Sequence, residues 1–495
     1  MMSTEAFFNS DHSSTLFPLS TSRLMVERHS QELSDYIYQK VLNDSEPSDS
    51  FLSQQRVYST KPNGHLRRTF KLDPVAEFYI YDVVYRNRQI FRTQVSDARR
   101  SFGYRFSSGS NIAVHAAYRE YKEALQECSD NYSHSLSFDI ASYFNSIYHH
   151  DLVHWFCSKT QSADDGQSFG KFLREINVGR SVDVLPQGLY PCKMLGNEFL
   201  KLVDVSSNLK SAKLVRFMDD FTLYDSSVVT LRRDFQKIQQ ILGQYGLNIN
   251  PSKTRYDARI GDVSGKLNEI KEALSEIIED FEPIYGASTV DVVVNEIEIE
   301  NPLDADQVRT LIDLLKNDEA DESDADMILG FLSNHAESEH LLEVIPELLS
   351  RFPNLIKHIY SVCANVEDKQ SLRNVISQYL AEDDSYLEYQ LFWLVKIVED
   401  HILDHVDSGD LLNRLYELTG DHKIARAKIL EIPVQNYGFK ELRLDYLKTG
   451  QSDWLSWAAA MGSRTLIASE RNHLLTYFSK GSPLNFLVAE CVKKF

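Results

Sequence analysis

The stretch Leu214-Val215-Arg216-Phe217-Met218-Asp219-Asp220-Phe221-Thr222-Leu223-Tyr224 sets two adjacent carboxylates inside an apolar run. Hydrophobic residues alternate on both sides of the acids, which is typical of two strands joined by a turn. Burying an ionised carboxylate is costly unless a cation meets it. Two other Asp-Asp pairs, at 164–165 and 383–384, lie in polar surroundings instead. The stretch therefore predicts a β-hairpin whose tip holds a metal, with an ordinary hairpin turn as the alternative.

A third acid lies upstream, in Ser135-Leu136-Ser137-Phe138-Asp139-Ile140-Ala141-Ser142-Tyr143-Phe144. This segment predicts a strand that ends at Asp139 and is followed by a turn of small residues. Two neighbouring side chains cannot surround two cations about 3.5 to 4 Å apart, so a two-metal site needs a carboxylate from elsewhere in the fold. Asp139 is the candidate, and the alternative is that it caps the following helix.

A Pro-Gly loop and a helix–strand unit complete the region. The loop Leu185-Pro186-Gln187-Gly188-Leu189-Tyr190-Pro191 lies between the acidic segments, and a helix-period pattern runs from Val228 to Leu242. The pattern stops at Tyr245-Gly246, before Leu247-Asn248-Ile249-Asn250-Pro251-Ser252-Lys253-Thr254. The predicted order of strand, helix, hairpin, helix and strand is the split βαβ arrangement.

Taken together, the four segments are similar to motifs A, B, C and D of the reverse transcriptase palm. They are Asp139–Phe144, Leu185–Gly188, Phe217–Asp220 and Gly246–Thr254. The similarity covers about residues 60 to 260, under half of the chain. Phe217 departs from the family, which usually has tyrosine there; we expect the lost phenol to change the polarity near the primer end without disturbing metal binding. The resemblance implies an α+β fold with fingers and a split βαβ palm, and DNA polymerase activity.

The resemblance also assigns the metal ligands. Asp139 and Asp219 would bridge two Mg²⁺ ions, with Asp220 as a supporting ligand and the carbonyl of Ile140 completing one coordination shell. Mg²⁺ prefers hard oxygen ligands and keeps waters that substrate phosphates can replace, and Mn²⁺ is the expected substitute. One ion would activate the attacking hydroxyl, and the other would stabilise the leaving pyrophosphate.

The same resemblance assigns the substrate contacts. Lys253 matches the lysine of motif D and would donate a proton to pyrophosphate; the alternative is a solvated loop lysine. Gln187 and Gly188 would contact the incoming nucleotide and its pairing partner. Phe144, five residues after Asp139, would lie under the sugar and exclude a 2′-hydroxyl, which predicts deoxynucleoside triphosphates as substrates; the alternative is a core residue.

Charge is unevenly distributed along the chain. The 495 residues carry 52 Lys and Arg against 72 Asp and Glu, a net charge of −20, which is unusual for a protein that holds nucleic acid. Between Lys61 and Arg105, however, ten basic residues face four acidic ones, a difference of plus six, and aromatic residues are interleaved. Rings that stack bases and cations that meet phosphates suit a nucleic-acid groove. This predicts the fingers, with Arg105 gripping the triphosphate, and the alternative is a solvated charged face.

Domain boundaries follow from changes in pattern. A polar stretch at 43–50 separates an N-terminal helical extension (1–55) from fingers and palm (56–260), and helix-period patterns dominate 261–495. We expect an all-α, HEAT-like domain there, with a strand signal at Asp291–Val294. Without an apolar run of about 18 residues or a secretion signal, we expect a cytoplasmic protein with no membrane contact and with reduced cysteines.

An acidic helical domain in place of a basic thumb narrows the resemblance to the abortive-infection (Abi) polymerases of bacterial antiphage defence, and in particular to those of P2-type prophages. That resemblance implies template-independent, protein-primed synthesis of single-stranded DNA, attached to a tyrosine, by a homo-oligomer. Tyr36, Tyr38 and Tyr58 precede the fingers, but no motif marks the priming residue. Two alternatives stay open: a templated, retron-like reverse transcriptase that acts with a dedicated RNA, and a scaffold whose helical domain is a sensor.

Overall fold

The computed structural model describes residues 2–43, 49–61, 64–92, 95–257, 284–286, 289–291, 305–315, 328–329, 332, 338–382, 385–405 and 408–495. The chain begins with two helices that pack against a third, central helix. Helices form most of this N-terminal extension, and the second of them is followed by a π-helical turn, Ile37–Val41. These helices are α1 (Thr4–His12), α2 (Ser20–Tyr36) and α3 (Pro74–Arg86).

The finger region is a β-hairpin followed by α3. Strands β1 (Gln55–Thr60) and β2 (Leu66–Lys71) pair antiparallel, with Tyr58 opposite Arg68 and Ser59 opposite Arg67. α3 is buried on nearly all sides because it packs against α1, α2 and two further helices. The aromatic residues predicted to stack bases are therefore mostly core, and this part of the fingers prediction is wrong for Phe70, Phe78, Tyr79, Tyr81, Phe91, Phe102, Tyr104 and Phe106.

The palm contains the predicted split βαβ unit. The strands of this region are β3 (Arg99–Phe102), β4 (Phe106–Ser107), β5 (Ser110–Asn111), β6 (His134–Asp139), β7 (Lys213–Phe217), β8 (Asp220–Asp225) and β9 (Arg255–Tyr256). The palm sheet has the strand order β3-β7-β8-β6-β9, in which β3 is parallel to β7 and the other pairs are antiparallel. Strand β6 ends at Asp139 and the β7–β8 hairpin turns at Met218-Asp219, both as predicted.

The helix after the hairpin packs on one face of this sheet, and the acids lie on the other face. Phe138 and Phe221 stack at 5.2 Å, and Phe235 of the helix after the hairpin packs against Phe138. Because successive strand residues alternate between faces, Asp139 and Asp220 lie on the opposite face. The helices of this region are α4 (Val114–Asn131), α5 (Tyr143–Ser146), α6 (His149–Lys159), α7 (Ala163–Ile176), α8 (Tyr190–Phe199), α9 (Lys201–Asp204) and α10 (Val228–Gln244).

The C-terminal region is helical, as predicted, apart from one small hairpin. β10 (Ile284–Gly286) pairs with β11 (Thr289–Asp291), so the strand signal begins earlier than the expected Asp291–Val294; residues 292–294 lie outside the described residues. Neighbouring helices pack in series along the chain. They are α11 (Ala305–Leu315), α12 (Ser338–Arg351), α13 (Ile356–Ala364), α14 (Lys369–Glu382), α15 (Glu388–Ile397), α16 (Ser408–Leu418), α17 (Lys423–Glu431), α18 (Phe439–Thr449), α19 (Trp454–Gly462), α20 (Ala468–Phe478) and α21 (Pro483–Lys493).

The N-terminal extension ties this helical region to the palm. The carboxylate of Glu431 accepts hydrogen bonds from the backbone N–H groups of Ser20 and Thr21, both at 2.8 Å, and so caps α2 from a distant part of the chain. The indole of Trp393 donates to the carbonyl of Leu16 at 3.2 Å. No helix in the described ranges is both long and apolar enough to cross a bilayer.

Candidate active site

The predicted acids converge at one end of the palm sheet. Asp139, the last residue of β6, lies directly opposite Asp220, the first residue of β8. Asp219 precedes it in the turn, where Met218 has a φ of +54°. A non-glycine residue in the left-handed region is uncommon, and here it turns the chain so that two acids follow at the sheet edge. Asp139 therefore lies beside the adjacent pair Asp219 and Asp220, which comes from a distant part of the sequence.

Three carboxylate oxygens, one on Asp139 and two on Asp219, lack among the described residues the partners that buried charge requires. Asp219 is fully buried, and neither of its carboxylate oxygens has a hydrogen-bond partner within the described residues; the same holds for Oδ1 of Asp139, which is 5% exposed. Burial raises the pKa of Asp219 to about 7 and also raises the pKa of Asp220, to which the charges of the neighbouring acids contribute. Ionising these carboxyl groups is therefore unfavourable unless a cation binds them.

Lys253 supplies one cation. It lies in a short 3-10 turn, Pro251–Lys253, and its ammonium is 3.0 Å from Oδ2 of Asp139. Burial lowers the pKa of Lys253, but its hydrogen bond to Asp139 and the three acidic charges outweigh this, so the pKa is raised. The lysine is therefore protonated at neutral pH. The side chain is 60% exposed, as the alternative of a solvated loop lysine implies, and its role as proton donor stays a prediction.

The donor chemistry fits divalent ions. Unpartnered, buried carboxylate oxygens are hard ligands of the kind that Mg²⁺ and Mn²⁺ prefer. Ile140 and Ile249 form an isolated β-bridge whose hydrogen bonds are made by the backbones of Asp139 and Ala141, not by the Ile140 carbonyl. In the part of the chain that the structure describes, no three acidic, histidine or cysteine side chains are already drawn together around one ion position.

A buried arginine supports the acidic turn, and the sequence interpretation missed it. Arg216, fully buried in β7, pairs with Asp204 at 2.6 Å and donates a hydrogen bond to the carbonyl of Met218 at 2.7 Å. It also donates to Asn197 of α8 at 2.8 Å. The signal in the sequence was a lone arginine between Val215 and Phe217 in an otherwise apolar strand.

The Pro-Gly loop is bound from two sides. The backbone of Gln187 exchanges hydrogen bonds with the Thr69 hydroxyl of β2, and its side-chain amide donates to Asn145 at 3.0 Å. Gly188 has a φ of +97°, and a Cβ there would lie 2.7 Å from Cγ of Leu16. The predicted contact residues thus connect the fingers, the palm and the N-terminal extension.

Two other predicted substrate residues are engaged within the protein. Phe144 is 1% exposed. Its ring packs so closely against Gly196 that a Cβ on that glycine would lie 3.3 Å from the ring. This burial is what the alternative of a core residue predicts. The guanidinium of Arg105 pairs with Glu120 of α4 at 2.5 Å. Their roles at the sugar and at the triphosphate stay predictions.

Lys61 and Arg67 interact electrostatically with the acids, and the choice of Arg105 did not anticipate this. The charge of Arg67 contributes to lowering the pKa of Asp219, and the charges of Asp139 and Asp219 act on Lys61. Both residues lie at the tip of the β1–β2 hairpin, where Lys61 donates its backbone N–H to the carbonyl of His65 at 2.7 Å. The sequence counted these cations within the basic stretch but could not rank them.

Phe217, the departure from the usual tyrosine, lies in an aromatic cluster. It is 1% exposed, and its ring is 5.3 Å from the ring of Tyr118 and 5.4 Å from that of Tyr121, both in α4. Tyr104 packs on the same ring at 6.3 Å. A side chain in this cluster anchors the hairpin to α4.

Part of the chain matches a known family model. Residues 89–265 match the family model described as reverse transcriptase (RNA-dependent DNA polymerase). Among solved structures, the chain is similar to telomerase from Candida albicans with a fragment of telomeric RNA, at 13% identity and a TM-score of 0.32 over 80% of this chain and 68% of that one. Apo telomerase from Candida tropicalis gives 11% identity and a TM-score of 0.32, over 80% and 71%. No curated protein matches the sequence.

Proposed function

We propose that this chain, a nucleotidyltransferase with a reverse transcriptase domain, joins deoxynucleotides at two Mg²⁺ ions held by Asp139, Asp219 and Asp220. One observation carries the proposal: Asp139 lies opposite Asp220, beside a buried Asp219 whose carboxylate oxygens have no partner among the described residues. Reverse transcriptase family polymerases generally use divalent ions. Mn²⁺ would substitute for Mg²⁺, because both accept oxygen ligands.

Each residue of the site has a chemical task in this proposal. Bound to the acids and to the carbonyl of Ile140, the ions would activate the attacking hydroxyl and neutralise charge on the leaving pyrophosphate. Lys253 is protonated and lies beside Asp139, so it can give a proton to pyrophosphate. Lys61 and Arg67 bring positive charge to the acids from the hairpin, where a triphosphate would need it.

The substrate contacts keep the roles expected from the motifs. Gln187 and Gly188 would meet the incoming nucleotide, and Phe144 would discriminate against a 2′-hydroxyl from beneath the sugar. The packing of Phe144 against Gly196 supports a rigid ring at that place. Replacing Phe144 with Ala should admit ribonucleotides, and unchanged sugar selectivity would contradict this role.

We further propose that synthesis is template-independent and protein-primed, in a homo-oligomeric, cytoplasmic enzyme of the abortive-infection type. The net charge of −20 supports a mode that needs no long duplex clamp. Of the three tyrosines named from the sequence, Tyr58, which lies in β1 of the finger hairpin, is 40% exposed, whereas Tyr38 donates to Asp82 and accepts from Arg86 at 2.6 Å. Tyr58 is therefore the first phenol to examine.

The alternative is templated synthesis with a dedicated RNA, as in retron-like enzymes. One observation favours it, because the matching family model is that of RNA-dependent DNA polymerases. The two proposals differ in what the purified protein needs in order to start synthesis. A template-independent enzyme needs only deoxynucleotides and a divalent ion.

A single incubation separates the two. Nuclease-treated protein is supplied with four labelled deoxynucleoside triphosphates and Mg²⁺ but no nucleic acid, and the variant with Asn at both 219 and 220 is the control. We expect label that stays with the protein under denaturing conditions, and mass spectrometry should place it on one tyrosine. Synthesis only after RNA and primer are added would refute self-priming and support the alternative.

A further inference from the structure

A buried aspartate outside the acidic cluster connects three segments of the active site. Asp183, in the loop before Gln187, is 4% exposed. Its carboxylate is 2.8 Å from Nε of Arg68 in β2 and 3.7 Å from Arg56 in β1. It also accepts a hydrogen bond from the side-chain amide of Asn145 at 2.6 Å.

Asn145 extends this network into the palm. It lies in α5, six residues after Asp139, and its amide also donates to the carbonyl of Arg68 at 3.3 Å. Its side-chain oxygen accepts from Gln187, and its carbonyl accepts from the N–H of Asp183 at 3.2 Å. The β1–β2 hairpin, the segment after motif A and the Pro-Gly loop are therefore held together around one carboxylate.

The backbone of Asp183 is itself unusual. Its φ is +65°, in the left-handed region that glycine adopts without strain. Aspartate and asparagine tolerate this conformation better than other side chains do. A loop that needed only the turn would be served by glycine, whereas this position combines the turn with a charge directed at two arginines.

The hairpin that Asp183 holds carries the cations of the site. Arg67 is the neighbour of Arg68, and Lys61 follows the last residue of β1. On a strand, residues 67 and 68 point to opposite faces, so fixing Arg68 on one face fixes where Arg67 points on the other. Thr69, the next residue, is bonded to Gln187 in both directions.

We propose that Asp183 is a positioning residue for triphosphate binding: by holding Arg68 and Asn145, it keeps Lys61 and Arg67 of the hairpin tip beside the catalytic acids. This inference rests on the proposed nucleotide-joining function and names the part of the substrate, the triphosphate, that depends on the network. Asp183 touches no reacting atom. It acts through the register and orientation of β2.

The test is Asp183→Asn, which keeps the size, the left-handed backbone and an acceptor for Asn145 but removes the charge. Asp97→Asn is the matched control, since Asp97 also pairs with two basic residues, Arg100 and Lys213, at the opposite edge of the palm sheet. We expect KM for deoxynucleotides to rise ~5- to 20-fold in Asp183→Asn with kcat within about 3-fold of the parent, and no change in the control. If Asp183 only stabilised the fold, the substitution would lower the thermal midpoint without raising KM at a nearly constant kcat.

A binding measurement separates this inference from the proposed function. Affinity for Mg²⁺-tripolyphosphate, measured calorimetrically, needs no polymerisation, and it should fall ~5-fold or more in Asp183→Asn. The loss should vanish when Lys61 and Arg67 are both replaced by Gln, because the network would then have no cations to place. If the parent joins no nucleotides yet tripolyphosphate binding depends on Asp183, the proposed function fails and the inference stands. If tripolyphosphate binding and KM in Asp183→Asn equal those of the parent, the inference is overturned.

Discussion

The ammonium of Lys253 lies 3.0 Å from Oδ2 of Asp139, so the expected proton donor and the expected metal ligand are direct partners. The negative charges of Asp139, Asp220 and Asp219 all favour the ammonium form of Lys253 at this place. An ion that binds Asp139 therefore competes with an ammonium for one oxygen. This competition links the proton donor to the metal requirement.

Replacing Lys253 with Met should change catalysis and metal binding in opposite directions. Without the ammonium, less Mg²⁺ should be needed for half-maximal activity, while kcat should fall ~10- to 100-fold because the proton donor is lost. Steady-state rates at varied Mg²⁺ measure both. Lys253→Arg keeps the charge and is the control for competition. An unchanged kcat in Lys253→Met would show that the lysine donates no proton.

Replacing Asp219 with Asn should abolish activity without unfolding the protein. The carboxylate is fully buried and has no partner in the described parts of the chain, so removing its charge relieves a desolvation cost. We expect nucleotide incorporation to fall by at least ~10³-fold, since the ions lose a bridging ligand. The thermal midpoint should equal or exceed that of the parent.

The effect of added Mg²⁺ on the thermal midpoint is a second measurement on the parent and Asp219→Asn. Because a ligand that binds the folded state stabilises it, Mg²⁺ should raise the thermal midpoint of the parent but not that of Asp219→Asn. Asp97→Asn, which is remote from the acids, should respond like the parent. Equal Mg²⁺ stabilisation in the parent and in Asp219→Asn would argue against a metal ligand at this position.

Variants of the buried pair Arg216–Asp204 should show whether the pair only stabilises the fold or also positions the turn before Asp219. Replacing Arg216 with Met leaves Asp204 charged and alone in the core, which should cost about 3 to 5 kcal/mol. Adding Asp204→Asn should restore most of that stability, measured by chemical denaturation. Activity should stay low in the double variant, because the Met218 carbonyl still lacks its donor and the turn before Asp219 loses its support. Full recovery of activity would assign the pair to stability alone.

The sequence predicted some residues of this site and missed others, for physical reasons. Asp139 and the Asp219 turn were found because alternating apolar residues fix a strand and its end, and strand ends of one sheet meet. Arg216 and Asp183 were not found, because their roles depend on partners 12 to 127 residues away that no local pattern reveals. Arg105 was preferred over Lys61 and Arg67 for the same reason, since only the fold shows that Glu120 faces it.

The aromatic residues of the fingers show a different error, because the sequence assigned them a function that their burial contradicts. A run rich in rings and cations suits either a nucleic-acid groove or a helix buried on all sides, and composition does not distinguish these. Tyr79 and Tyr81 are fully buried because α3 is surrounded by other helices. The hydroxyl of Tyr81 donates to Asp11, and that of Tyr79 to Ser168 at 3.0 Å. These tyrosines satisfy their polar ends inside the core.

Replacing Gly188 with Ala should impair the enzyme more than the same change at another left-handed glycine. At Gly188, with φ +97°, a Cβ would lie 2.7 Å from Leu16, whereas at Gly109, with φ +91°, nothing lies within 4 Å. Gly109→Ala therefore measures backbone strain alone, about 1 to 2 kcal/mol. Gly188→Ala should cost about 1 to 3 kcal/mol more, from overpacking.

Activity and a second-site change complete that comparison. Displacement of the loop should lower nucleotide incorporation in Gly188→Ala but not in Gly109→Ala, because only Gly188 adjoins Gln187. Adding Leu16→Ala to Gly188→Ala should recover the overpacking part of the lost stability. If the two glycine variants were equally stable and active, the contact with Leu16 would have no bearing on the loop.

Asp73 should make the protein less stable as the pH rises through the weakly acidic range. It caps α3, accepting from the N–H groups of Val75 and Ala76, and burial raises its pKa to about 6 from 3.8. The folded state therefore keeps a proton between pH 4 and 6 that the unfolded chain releases. The contribution is fully present below about pH 4 and is lost as the pH passes 6, a change of about 3 kcal/mol. Asp73→Asn keeps the cap without the titration, so its thermal midpoint relative to the parent should rise from pH 4 to 7 and then level off. A difference that stays constant across this range would show that Asp73 is not the titrating group.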